Sequence, residues 1–203
     1  MIWGAAPVKD AVKKYIQPTD YIIAADGGWK SAESLGFSPA QILGDFDSSE
    51  CPNVTNVIKL PSEKDDTDTH YATKLAISMG FQEILYLGVL GGIRLDHTIA
   101  AIQSALYAAK QGVKVQITDG YCQMWVLSGA SALILPPLKE HYFSLFALGG
   151  AVEGVYEQGA KYELENAVLH PDFPIGVSNE FDGKEVHISI EKGNALLMIT
   201  PKE

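Results

Sequence analysis

Residues 83–119, EILYLGVLGGIRLDHTIAAIQSALYAAKQGVKVQITD, pass from one short apolar segment through a stretch of helical period into a second short apolar segment. That succession is the repeating unit of a parallel sheet, because two parallel strands can be joined only by a crossover that travels back along the sheet. The helix is expected to begin near Asp96, to carry Ile99, Ile102, Leu106 and Ala109 on one stripe, and to stop at Gly112. Toward the N-terminus the same alternation continues. YIIAAD (21–26), QILGDF (41–46) and NVIKL (56–60) read as further strands, and the first strand starts almost at Met1. Between the last of these and residue 83, a helix from Asp68 to Met79 places Ala72, Leu75, Ala76 and Met79 on one core-facing side.

After about Ser128 the helical period disappears. SALILP, YFSLFAL, KYELENAVL, EVHISIE and ALLMIT follow one another with Gly, Pro or Asn between them, the mark of antiparallel strands in a small sandwich or barrel. The expected architecture is an α/β domain with a parallel, Rossmann-like sheet over residues 1–125, followed by an all-β sandwich over residues 126–203.

Composition narrows the function. Apolar residues at 47% and charged residues at 20% suit an ordinary globular chain. The formal net charge of −10, with no basic run, argues against a nucleic-acid partner. No apolar stretch is long enough to span a bilayer, and the basic residues of MIWGAAPVKDAVKK follow its apolar run, the reverse of a secretory signal. A cytoplasmic location with no membrane partner is the expectation. Cys51 and Cys122 lie far apart without a metal-ligand pattern and read as reduced structural thiols. An acidic protein that handles phosphates needs a divalent cation or a few placed basic groups.

Four segments supply candidates, most of them at the carboxyl ends of expected parallel strands, where open α/β sheets collect ligands. Asp26, Gly27 and Gly28 form a strand-to-helix turn whose glycines would let a phosphate approach the backbone, although such a turn needs glycine for geometry alone. In GDFDS, residues 44–48, an extended backbone would send Asp45 and Asp47 to one side and Phe46 to the other. Two converging carboxylates suit Mg2+, which binds through one or two carboxylates plus phosphates and waters; the plainer reading is a turn capped by one aspartate. In KDDTDT, residues 64–69, Asp65 and Asp68 stand three apart at a helix start with Thr67 as N-cap, a pattern that helix-dipole pairing also explains. In GGIRLDHT, residues 91–98, Arg94 offers a planar fork for phosphate oxygens and Asp96 could position it or a metal-bound water. His97 could serve acid–base work or satisfy a carbonyl.

In this order, ADGG, GDFDS, DDTDT, GGIRLDH and a β-rich tail with GAKYEL and GVSNEF, the chain resembles the thiamine pyrophosphokinase family over nearly its whole length. The resemblance implies transfer of the pyrophosphoryl group of ATP to the hydroxyl of thiamine, giving thiamine diphosphate and AMP. It implies Mg2+ and a homodimer with its sites between subunits. By position, Asp45, Asp47, Asp65 and Asp68 would be the metal and phosphate acids, with Asp68 also facing thiamine. Arg94 and Asp96 would serve catalysis, and Asp26, Gly27, Gly28, Thr67 and His97 would join Asp45 and Arg94 around the nucleotide. Tyr162 would present its ring to thiamine, with Ser178 and Asn179 closing the pocket. Ile93, between the Gly pair and Arg94, and Ala101, where many members have Asn, depart from the pattern. A metal-dependent phosphohydrolase and a non-enzymatic nucleotide or thiamine sensor could use the same residues.

Overall fold

The computed structural model describes residues 1–47 and 49–202, so Ser48, the last residue of the GDFDS segment, lies outside the described residues. The chain divides into two compact units, Met1–Gly120 and Tyr121–Glu203.

Unit 1 holds six strands, β1 (Ile2–Trp3), β2 (Ile23–Ala25), β3 (Gln41–Gly44), β4 (Val57–Lys59), β5 (Glu83–Leu87) and β6 (Lys114–Thr118). Its helices are α1 (Gly28–Ser34), α2 (Asp68–Ser78) and α3 (Leu95–Ala109). All the strand pairings are parallel, in the order β6-β5-β1-β2-β3-β4. The chain therefore runs outward from β1 on one side to β4, then returns to lay β5 and β6 on the other.

The helix faces differ from the expected stripes. On α2 the buried residues are Ala72, Thr73 and Ala76, whereas Met79 is the C-cap and 45% exposed. On α3 the buried face is Ala101, Ser104, Ala105, Ala108 and Ala109, and Ile99 is 53% exposed. Bulk explains the rotation: small side chains let a helix backbone approach its neighbours closely, so the larger apolar residues stand at the margins. Ser104 is paid for within that face by donating to the Ala100 carbonyl at 2.9 Å and meeting His70 Nδ1 at 3.0 Å.

Unit 2 has eight strands: β7 (Gln123–Ser128), β8 (Ser131–Leu135), β9 (His141–Ala147), β10 (Val152–Gln158), β11 (Leu164–Leu169), β12 (Asn179–Glu180), β13 (Val186–Ile190) and β14 (Asn194–Pro201). They form two antiparallel sets, β12-β9-β14-β7 and β11-β10-β13-β8. One hydrophobic cluster draws on both, joining Phe143, Leu145 and Leu197 from the first to Val155, Leu169 and Ile188 from the second. Strands β9, β13 and β14 contribute alternate residues, as a sheet with one dry face requires, whereas β10 contributes Val152 and Val155 across a register shift. Cys51 is exposed and Cys122 is half-buried.

One glycine of the Asp26–Gly28 turn is fixed by packing. A Cβ on Gly28 would lie 2.2 Å from the Trp3 carbonyl oxygen, whereas one on Gly27 would meet nothing closer than 3.6 Å. Gly28→Ala should therefore lower stability by about 1–3 kcal/mol through overpacking. Gly27→Ala should leave the melting temperature of the protein nearly unchanged, and thermal unfolding of the two variants side by side checks the contrast.

Candidate functional site

Strand β3 ends at Gly44, and the chain turns sharply there because Phe46 takes φ 57°. The extended alternation expected through GDFDS therefore stops before the two acids. Asp45 is half-buried and turns inward, while Asp47 is exposed, its backbone N–H donating to Asp45 Oδ1 at 3.3 Å. Asp26, at the end of β2, also has a left-handed backbone, φ 47°, and accepts from Ser49 Oγ at 2.5 Å. Two non-glycine residues in this conformation, at the carboxyl ends of adjacent strands, mark backbone held by its surroundings against local preference.

Helix α2 brings the third acid. Thr67 is its N-cap, its hydroxyl accepting from the His70 N–H at 3.1 Å, as the sequence indicated. This cap fixes Asp68 as the first helical residue. A Cβ on Gly44 would be 3.0 Å from Asp26 Cα and 3.4 Å from Asp68 Oδ2, so the absence of a side chain at Gly44 admits both acids to one place.

Lys64 joins them. Its ammonium donates to Asp45 Oδ2 at 2.5 Å and stands 3.1 Å from Asp68 Oδ1, an ion pair whose geometry leaves that buried oxygen without an aligned hydrogen bond. It also donates to the Pro61 carbonyl at 3.1 Å. Sequence reasoning passed over Lys64 although it opens the KDDTDT segment. The signal was its place four residues before Asp68, one helical turn away.

The electrostatics follow from this triangle. The Lys64 hydrogen bond holds the Asp45 carboxyl below its usual range. Burial works against the charge on Lys64, but the two carboxylates outweigh it and raise its pKa. Asp68 goes the other way: burial first, then the fields of Asp45 and Asp26, push its carboxyl up despite Lys64.

Other expected residues lie apart from this triangle. Asp65 is exposed, and Asp66 is taken by Lys74 Nζ at 2.7 Å. Arg94 and Asp96 form a forked pair, with Arg94 Nε 3.0 Å from Asp96 Oδ1 and Nη2 2.7 Å from Oδ2. That guanidinium holds the Asp96 carboxyl at about 2. Both side chains remain largely exposed, and the field of Asp47 reaches Arg94. His97 is exposed and its backbone N–H donates to the Arg94 carbonyl at 3.1 Å. Among the described residues no three His, Cys, Asp or Glu side chains form a ready metal cage. Asp45 and Asp68 nevertheless offer oxygens to a single cation position, now filled by the Lys64 ammonium, and two carboxylates meet the ordinary protein share of Mg2+ ligation.

Unit 2 contains a cavity of about 310 Å³ lined by Glu157, Tyr162, Leu164, Ile175, Gly176, Val177 and Asn179. Tyr162 is 60% exposed and stands outside the hydrophobic cluster, with the Lys161 ammonium over its ring at 5.3 Å from the centroid. Asn179 is buried beside it, and Ser178, exposed at φ 59° with its N–H donating to Ser144 Oγ, is not among the lining residues. Glu157, which sequence reading did not select, is buried in β10.

A parallel α/β unit that gathers acids at its strand ends is the architecture of enzymes that act on phosphorylated ligands. Residues 12–117 match the family model for the thiamin pyrophosphokinase catalytic domain, and residues 133–194 match that for the thiamin pyrophosphokinase vitamin B1 binding domain. The chain belongs to the thiamin pyrophosphokinase family. Solved structures agree in fold. Thiamine pyrophosphokinase from Bacillus subtilis is 23% identical with a TM-score of 0.87, covering 100% of this chain and 98% of its own. The enzyme from Geobacillus thermodenitrificans is 25% identical with a TM-score of 0.82 and coverage of 100% and 96%. That from Candida albicans is 16% identical with a TM-score of 0.78 and coverage of 99% and 88%. No curated protein sequence matches the chain.

The raised carboxyl of Asp68 yields a test in the metal-free protein. An acid whose folded pKa lies above its unfolded value penalises folding once ionised, fully above the folded pKa and not at all below the ordinary aspartate range. Asp68→Asn should thus raise the melting temperature at neutral pH, and the gain should vanish as pH falls through the acidic range. Melting curves against pH for both proteins measure it.

Proposed function

We propose that this chain carries out thiamine pyrophosphokinase chemistry with Mg2+ held by Asp45 and Asp68. The observation that carries the reading is the convergence on one cation position of those two carboxylates, one just past the end of parallel strand β3 and one from the first turn of α2. Bound there, Mg2+ would neutralise charge on the triphosphate. Lys64 would then be released from the pair and become a second positive group beside the phosphates. Asp47 and Asp65, exposed on the two flanking segments, complete the acid set. Arg94, held in plane by Asp96, presents its fork to phosphate oxygens. Asp26, Gly27, Gly28, Thr67 and His97 complete the nucleotide side, and Asp68 also faces the thiamine hydroxyl.

The strand order of unit 1 supports reading residues 1–125 as a Rossmann-like nucleotide domain, and the shared cluster of unit 2 supports a thiamine-holding sandwich over 126–203. We propose a homodimer in the cytoplasm as the working form. Among the described residues no helix is long and apolar enough to cross a membrane.

The acceptor oxygen attacks the β-phosphorus, and AMP leaves. Incubation with ATP, Mg2+ and thiamine should yield AMP and thiamine diphosphate in equal amounts. ADP as the stoichiometric product would mean ordinary kinase chemistry, and thiamine-independent hydrolysis would mean a phosphohydrolase.

In the unit 2 cavity, thiamine brings a permanently cationic thiazolium and a flat aminopyrimidine, both suited to an aromatic face. Stacking or cation–π contact with a partly desolvated ring is worth roughly 0.5 to 2 kcal/mol, so Tyr162→Ala should raise thiamine KM about 2- to 30-fold. Tyr162→Phe keeps the face and should cost far less. Steady-state kinetics at saturating ATP separate the two.

A further inference from the structure

Asn179 and Glu157 form a buried polar pair beneath the unit 2 cavity, and the hydrogen-bond inventory of the amide restricts what each can do. An asparagine side chain has two N–H donors and two acceptor lone pairs. The Nδ2 group donates to Glu157 Oε2 at 2.7 Å and to the Tyr162 carbonyl at 2.7 Å. Oδ1 accepts from the Tyr162 N–H at 3.1 Å and from the Glu180 N–H at 2.8 Å. Every hydrogen-bonding position of the 6% exposed side chain is used within the protein, so Asn179 has nothing left to offer a ligand.

Glu157 is in the opposite condition. It is only 1% exposed, lines the cavity, and its Oε1 has no hydrogen-bond partner. Across the strands it faces Leu164 on β11 and Ile188 on β13, neither titratable. The charged groups on the surrounding elements are paired among themselves: Lys161 and Lys202 with Glu180, Lys184 with Glu163, and His187 with Glu185. Tyr162 is the other titratable group of the cavity lining. A buried carboxyl with one donated hydrogen bond and no counter-ion is costly to folding, and such a group persists where function uses it.

We propose that Glu157 is the counter-charge for the cationic acceptor, acting through the field in the floor of the cavity, and that Asn179 is the positioning residue that fixes it. The inference rests on the reading of this cavity as the thiamine pocket. Direct contact is not needed, because a charge in a poorly solvated cavity acts across several ångströms with little screening. Burial pushes the Glu157 carboxyl up to about 7, with the Asn179 hydrogen bond opposing. The group therefore titrates near neutral pH. A bound cation favours the ionised form, so thiamine binding expels a proton whenever Glu157 starts protonated.

The sign follows directly: thiamine KM should fall as pH rises through about 7 and level off above it. Glu157→Gln keeps the shape and the bond from Asn179 but carries no charge. At about pH 8 its thiamine KM should exceed that of the wild type roughly tenfold, equivalent to one pKa unit of coupling, and the two should converge near pH 6. ATP KM should stay near its wild-type value, and the melting temperature at about pH 8 should not fall below that of the wild type, since the ionised buried carboxyl itself opposes folding there; this separates field loss from misfolding. Equal thiamine KM for both proteins at both pH values overturns the proposal, and so does a wild-type KM that rises with pH. Absence of thiamine-dependent AMP formation by the wild type would instead overturn the functional reading beneath it.

Discussion

Three main-chain oxygens at the middle of unit 1 decide what can stand around them. The Trp3 carbonyl lies where a side chain on Gly28 would be, and the Gly4 and Gly88 carbonyls each lie about where the other residue's Cβ would point, 2.4 and 2.5 Å away. The two crossing segments are also hydrogen-bonded, the Gly4 N–H to the Leu87 carbonyl and the Ala6 N–H to the Gly88 carbonyl, each at 2.8 Å. This contact occurs because β1 has β2 on one side and β5 on the other, so the loops leaving β1 and β5 must pass close before they diverge. Divergence at such a point opens a crevice at the carboxyl edge, and the loops after β2 and β3 deliver Asp26 and Asp45 to that edge.

Acids brought together by topology create their own electrostatic problem. Lys64 answers it within the chain, occupying the position between Asp45 and Asp68 from the segment just ahead of α2. Because the lysine stem is flexible and its ammonium is compact, this countercharge can be withdrawn without moving a strand. The acids it bridges are placed by backbone, Asp45 by the end of β3 and Asp68 by the capped start of α2.

Much of this was legible in the sequence, for identifiable reasons. Strands β2, β3, β4 and β6 were each found within two residues at their ends, whereas the segment read for β5 ran three residues past its end at Leu87. The helix faces were read in part: Ala72 and Ala76 of α2 and Ala109 of α3 are buried as expected, whereas Met79 and Ile99, assigned to the same stripes, are exposed. Strands β7, β10 and β12 went unread. In β10 the register shifts between Val152 and Val155 and again before Glu157, with Gly154 at φ 64°, so the period of two is interrupted and a buried glutamate falls where an apolar residue is expected. At the acid site, residue types were visible but directions were not. A left-handed Phe46 sends Asp45 and Asp47 to different surroundings, and Lys64, quoted among the acids, was given no role.

The saturated amide of Asn179 has a consequence for how this family can vary. Exchanging its NH2 for an oxygen, an alteration of a single heavy atom, would replace two donated bonds by two repulsions, one against the Tyr162 carbonyl and one against the Glu157 carboxyl. Positions 157 and 179 are therefore epistatic. A lineage that drifts to an acid at 179 must first lose the acid at 157, and one that acquires an acid at 157 must already possess an amide to receive it.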